Sequence, residues 1–109
     1  MLSNPHEEDW LMWRRTQNGW GYSPLDQIDK SNVTNLRMVW TRALTEGSQT
    51  GTPLAYNGIL FMPNPNDVIQ ALNAATGDLI WEHRREVPEA ARENLGYLST
   101  NNRNIAAKL

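Results

Sequence analysis

Leu54-Ala55-Tyr56-Asn57-Gly58-Ile59-Leu60-Phe61-Met62 decides how this chain folds. Two apolar runs flank an Asn-Gly pair. Both residues of a two-residue hairpin loop need positive φ, which Asn tolerates and Gly adopts at no steric cost. The stretch therefore predicts two antiparallel strands, the first reaching back to Thr52 and Pro53. Outward from it, Pro63-Asn64-Pro65-Asn66-Asp67 reads as a break and Val68-Ile69-Gln70-Ala71-Leu72 as a third strand. Ala75-Thr76-Gly77-Asp78 then reads as a turn, and Leu79-Ile80-Trp81-Glu82-His83 as a fourth strand. Short strands with tight turns at near-regular spacing predict an all-β fold, a four-stranded antiparallel meander.

Such a meander suits one sheet of a barrel or one blade of a propeller. Toward the N-terminus, Glu46 to Thr52 is small and polar and reads as a loop. Leu36 to Leu44 alternates, with Leu36, Met38 and Trp40 on one side, and predicts a further strand. Ser31 to Asn35 reads as a polar loop, and Gly19, Gly21 and Pro24 break regular structure. His6 to Arg15 predicts a short helical turn, with Asp9 as cap and Trp10 and Trp13 on one face. Beyond the strands, Pro88 to Leu95 has helical composition with its proline in a favoured first-turn position. Tyr97 to Asn104 is polar and turn-rich.

The chain has 109 residues, 39% hydrophobic and 20% charged, with a mean hydropathy of −0.62. That is one small domain at most, of globular composition. No apolar run approaches the roughly 18–20 residues of a membrane span. Ten Lys and Arg against twelve Asp and Glu leave a net charge of −2, so the basic field expected of a nucleic-acid binder is absent. Without cysteine there is no disulfide, no Cys-ligated zinc and no thiol nucleophile. The N-terminus has neither a basic nor an apolar region of the secretory type, so no signal peptide is expected in this chain. Five tryptophans beside one phenylalanine are the unusual feature. So many large amphipathic rings need matching partner surface.

Ala71-Leu72-Asn73-Ala74-Ala75-Thr76-Gly77-Asp78-Leu79-Ile80-Trp81 resembles the tryptophan-docking motif of pyrroloquinoline-quinone (PQQ) propellers, with Asn73 where Asp is usual. Asp9-Trp10-Leu11-Met12 and Tyr22-Ser23-Pro24-Leu25-Asp26-Gln27-Ile28 resemble the opening of quinoprotein alcohol dehydrogenases. Asn32-Val33, Asn35-Leu36 and Val39-Trp40, then Thr52-Pro53-Leu54, Asn57-Gly58 and Pro63-Asn64-Pro65, follow in that family's order. The resemblance runs from about Glu8 to Ala106. It is to the methanol/ethanol-type PQQ dehydrogenases, and it implies an eight-bladed β-propeller. It also implies a periplasmic enzyme assisted by calcium or a lanthanide, which oxidises primary alcohols by hydride transfer to the quinone and passes electrons to cytochrome c.

On that resemblance, residues 1–45 are an N-terminal segment with its first strand and residues 46–86 the first blade. Residues 87–109 are a connector of helical composition and the start of the next blade. The resemblance makes Glu46 and Arg103 the cofactor-binding candidates. Glu46 would accept a hydrogen bond from the quinone's polar edge, and Arg103 would stabilise negative charge as the quinone is reduced. On residue type alone, Glu46 is a solvated loop carboxylate and Arg103 a surface arginine. Many family members carry adjacent cysteines shortly before that arginine. Tyr97 and Leu98 stand there instead, so that disulfide is absent. The resemblance places the catalytic aspartate and the metal ligands beyond residue 109.

The remaining features have plain readings. His6 and His83 lack ligand spacing and read as surface residues. Glu82-His83-Arg84-Arg85-Glu86 reads as a solvated strand end. Asn32-Val33-Thr34 fits a glycosylation sequon, a pattern common by chance. A tryptophan platform for sugars is a further reading that no residue demands. A lone blade leaves faces and edges without partners, and repeat arrays usually need about three units. The isolated chain is therefore expected to fold weakly or self-associate, to bind no cofactor and to lack dehydrogenase activity. Its partners would be the remaining blades of a parent chain. The alternative is a stand-alone blade that self-associates as an assembly module.

Overall fold

A computed structural model describes residues 4–86 and residue 88. Four strands form one sheet: β1 (Leu54–Tyr56), β2 (Ile59–Asn64), β3 (Val68–Asn73) and β4 (Leu79–Arg84). They pair in sequence order, each antiparallel to the next. This is the predicted meander.

The turns explain the order. Asn57 and Gly58 take φ of 47° and 75° and fold β1 onto β2, pairing Tyr56 with Ile59. The break at 63–67 is shorter than the sequence suggests. Pro63 and Asn64 stay in β2, opposite Ile69 and Val68. Past the Leu54–Phe61 pair, β2 has no ladder partner on its β1 side among the described residues, and an edge is where a strand proline is tolerated. Asn66 and Asp67, both at positive φ (64° and 56°), make the turn instead. Asn and Asp enter that region more readily than other side-chain-bearing residues.

Between β3 and β4 the Asn73 side-chain oxygen accepts from the amides of Ala75 (2.9 Å) and Thr76 (3.2 Å). Two more side-chain bonds close the turn: Thr76 Oγ1 donates to the Asp78 carboxylate at 2.7 Å and accepts from the Asp78 amide at 3.3 Å. Gly77 follows at φ 76°, its amide donating to the Asn73 carbonyl at 2.8 Å. The indole of Trp40 lies over it. A Cβ at position 77 would meet Trp40 ring atoms at 2.6–2.9 Å, so this position accepts only glycine without rearrangement.

The core is small. Leu11, Leu54, Val68, Ala71 and Leu72 are its buried hydrophobic residues. Burying a Leu or Val side chain contributes about 1.5–3 kcal/mol, and β3 supplies three of the five. β4 is exposed along its whole length. Across the sheet Leu54, Phe61, Ala71 and Trp81 form one row by register, with the Phe61 and Trp81 rings 6.1 Å apart.

Two local expectations are corrected. Residues 6–15 form turns rather than a helical turn, because Arg14 and Arg15 both take positive φ (63° and 68°). The buried Arg15 guanidinium donates to the carbonyls of Asp9 and His6, both at 3.2 Å, and fixes that loop. Trp10 forms a two-bond bridge to the free edge of β1, its amide donating to the Ala55 carbonyl at 2.8 Å and its carbonyl accepting at 2.9 Å. The helical turn that does occur is a 3-10 turn, Val33–Asn35, within the expected polar loop. Leu36 to Leu44 is not a strand, since it has no ladder partner among the described residues. It is held by side chains instead, and Met38 is 82% exposed. Among the described residues no helix is long and apolar enough to cross a membrane.

Candidate functional site

The sheet has two ends of different character. At one end lie the Asn57-Gly58 turn and the Asn73–Asp78 turn with Trp40 on it. The other end carries the start of β1, the Asn66-Asp67 turn and the end of β4. The loop bearing Glu46 is tied to this second end. Thr45 Oγ1 donates to the Pro65 carbonyl at 3.1 Å, and Asn66 Nδ2 donates to the Glu46 carbonyl at 3.2 Å. Gln49 Nε2 donates to the Pro63 carbonyl. The Arg85 amide donates to the Asp67 carbonyl at 3.2 Å, which pins the exit of β4 to the same turn.

Glu46 therefore has a fixed backbone and an exposed side chain. A carboxylate so placed can accept hydrogen bonds from a ligand at that end of the sheet. At the same end of the sheet, Asn64 at the end of β2 is 1% exposed. Its Nδ2 donates to the Met62 carbonyl at 3.2 Å, while its Oδ1 accepts no hydrogen bond from the described residues. Arg103, Tyr97 and Leu98 lie outside the described residues, as does most of the expected helical stretch from Pro88 to Leu95. What the structure shows is that the chain leaves β4 at the end where Glu46 is held.

No group of three His, Asp or Glu side chains suited to a metal ion occurs among the described residues. His6 lines an open cleft of about 440 Å³ with Glu8, Asp9, Tyr56 and Asn57. That cleft lies at the Asn-Gly end, away from Glu46. His83 is an exposed β4 residue opposite Ile69.

Two arrangements were not foreseen. Arg42 Nε donates to Gln70 Oε1 at 3.3 Å, and Gln70 Nε2 donates to Glu82 at 2.7 Å. This chain links the segment after Trp40 to β3 and β4. The second is Trp40 itself, whose Nε1 donates to the Ala74 carbonyl at 2.9 Å. The available signal was the glycine of the Thr-Gly turn, which leaves room for a ring.

Comparison with known proteins agrees with this architecture. The family described as "PQQ: Glucose/ethanol/alcohol dehydrogenase, beta-propeller domain" matches residues 10–107. The dehydrogenase subunit of alcohol dehydrogenase (quinone) from Gluconacetobacter polyoxogenes is 39% identical over 87 residues, covering 79% of this chain and 12% of that protein. Its counterpart from Gluconobacter oxydans (strain 621H) is 42% identical over 84 residues, covering 76% and 11%. A quinohemoprotein alcohol dehydrogenase structure from Pseudomonas putida HK5 superposes with a TM-score of 0.63 at 34% identity, covering 72% of this chain and 12% of that one. The chain thus spans about an eighth of the length of these relatives. With its four-stranded blade and with nearly its whole length matched, the chain belongs to the PQQ glucose/ethanol/alcohol dehydrogenase β-propeller family.

Proposed function

We propose that this chain forms the first blade and part of the cofactor wall of a PQQ-dependent dehydrogenase that oxidises primary alcohols. The 39–42% identity to quinone-type alcohol dehydrogenase subunits carries this reading. PQQ, when bound, supplies the two-electron acceptor. The chain's own residues hold and orient it. Glu46 sits on a loop fixed by Asn66 and Thr45, so its carboxylate accepts a hydrogen bond from the quinone's polar edge with little ordering cost. Arg103, C-terminal to β4 in the sequence, would hold the quinone oxygens with a permanent positive charge. One carboxylate acceptor and one guanidinium donor suit a cofactor edge that offers both a hydrogen-bond donor and negatively charged oxygens. The calcium or lanthanide ion is held by other parts of the parent protein, which is periplasmic and delivers electrons to cytochrome c.

The test is made on the natural protein that contains this chain, purified and reconstituted with PQQ and either Ca²⁺ or a lanthanide ion. Primary-alcohol oxidation that depends on PQQ is expected. Glu46→Gln and Arg103→Ala should each weaken PQQ binding by at least about tenfold, since each removes a charge-assisted hydrogen bond. A protein that takes up PQQ equally well with both substitutions sinks the assignment of the wall. The 109-residue chain alone is expected to show neither cofactor retention nor turnover.

A further inference from the structure

Three consecutive residues around Glu46 rest on two consecutive residues of the turn between β2 and β3. Before it, Thr45 Oγ1 donates to the Pro65 carbonyl at 3.1 Å. At Glu46 itself, the main-chain carbonyl accepts from Asn66 Nδ2 at 3.2 Å. After it, Gly47 lies against the Pro65 ring. A Cβ at position 47 would meet Pro65 Cβ at 2.6 Å and Cγ at 3.3 Å. Gly47 also takes φ 136°, where a side-chain-bearing residue is strained, so glycine is required there on two counts.

The two residues of the turn do different work. Pro65 is buried, and its ring fixes its own φ. Asn66 is exposed and holds φ 64°, a conformation that Asn, Asp and Gly enter more readily than other residues. Its side chain crosses from the sheet to the loop, 20 residues back in sequence. The Glu46 side chain is exposed, so the reach of its carboxylate is set by where its main chain is pinned. A hydrogen bond weakens steeply once its geometry is lost, and a loop that must be ordered on binding gives up part of the affinity. We propose that Asn66 is a positioning residue for cofactor binding. Its amide holds the Glu46 carbonyl and, with Pro65 against Gly47, fixes the point from which the Glu46 carboxylate meets the quinone. This rests on the reading above that Glu46 belongs to the PQQ wall, and it adds a residue that touches the cofactor only through another.

A double-mutant cycle tests this. PQQ is titrated to equilibrium into the natural protein that contains this chain, freed of cofactor and supplied with Ca²⁺ or a lanthanide ion. Asn66→Gly keeps the left-handed turn and removes the amide that holds Glu46. It should weaken PQQ binding about threefold to tenfold, the scale of one ordinary hydrogen bond. Asn66→Asp also suits the turn but offers no donor, and should lose at least as much. In a Glu46→Ala background, which leaves no carboxylate to position, Asn66→Gly should cost nothing further. A residue that only stiffens the sheet, or that touches PQQ itself, would cost the same in both backgrounds. That result overturns the proposal, as does full affinity in N66G or N66D. Asn57→Gly, the matching change in the turn at the other end of the sheet, should leave binding unchanged, and an equal loss there also overturns it. If E46A binds PQQ as well as the unsubstituted protein, Glu46 is not in the wall and both readings fall. Loss in E46A with none in N66G removes Asn66 alone.

Discussion

The backbone amide of Asn57 donates to the carboxylate of Asp9 at 3.0 Å, joining the N-terminal segment to the first hairpin across 48 residues. Asp9 is buried, so its loss leaves a turn amide without its partner. A hydrogen bond to a charged group contributes about 1.5–3 kcal/mol. Asp9→Ala is expected to destabilise the chain by about that much in urea denaturation followed by tryptophan emission. No change in midpoint would mean that the amide is satisfied equally well by solvent.

Gly77 and Gly58 make a matched pair. Both have φ near 76°, yet nothing lies within 4 Å of a Cβ at position 58, whereas Trp40 crowds position 77. Gly58→Ala should cost only the left-handed backbone term, about 1–2 kcal/mol. Gly77→Ala should cost more and should also shift tryptophan emission, because Trp40 must move. Equal costs with unchanged emission would show that Trp40 is not held at the turn.

Leu72 is nine-tenths or more buried at the centre of the sheet, opposite Leu60 and Leu79. Leu72→Ala should destabilise by about 2–5 kcal/mol. Ile80→Ala, on exposed β4, should cost under about 1 kcal/mol in the same chain. Denaturation midpoints for the two variants check the contrast.

The Asp29 carboxyl is held below the usual carboxylate range, first by the Ser31 hydroxyl and then by the Ser31 amide, with a further bond from the Asn32 amide. A depressed folded pKa gives a contribution that is present above the unfolded value of about 3.9. That contribution is lost as pH falls through the lower folded value. A carbon-detected NMR titration of Asp29 should therefore have its midpoint below the ordinary one, and Ser31→Ala should raise it. The group is fully exposed, so the effect is on the local turn.

Much of the sheet was legible because its turns are made by residue chemistry. Asn57-Gly58 and Asn73 to Gly77 specify their geometry locally, and the strands between them carry apolar runs. Asn66-Asp67 was hidden by the prolines beside it, which suggested a longer break. Leu36–Leu44 alternates like a strand, but alternation does not supply a ladder partner. Arg14 and Arg15 overturned a helical reading because their conformation is fixed by carbonyls of His6 and Asp9, a tertiary fact. Glu46 was visible as a residue, and only the structure shows the bonds that hold its loop to the Asn66 turn. Trp40 on Gly77 joins positions 34 residues apart from indole to acceptor, a pairing no local pattern encodes.

The bridge between Trp10 and Ala55 has a bearing on the order of events during folding. Hairpins form in about 1–10 μs, while closing a long loop is entropically opposed until its contacts exist. Trp10 can pair only with an Ala55 already held in β1. Amide protection in pulse-labelled hydrogen exchange should therefore appear at Leu60 and Leu72 before it appears at Trp10. During synthesis the segment around Trp10 leaves the ribosome before the hairpins do, so an earlier stretch of chain settles only after a later one.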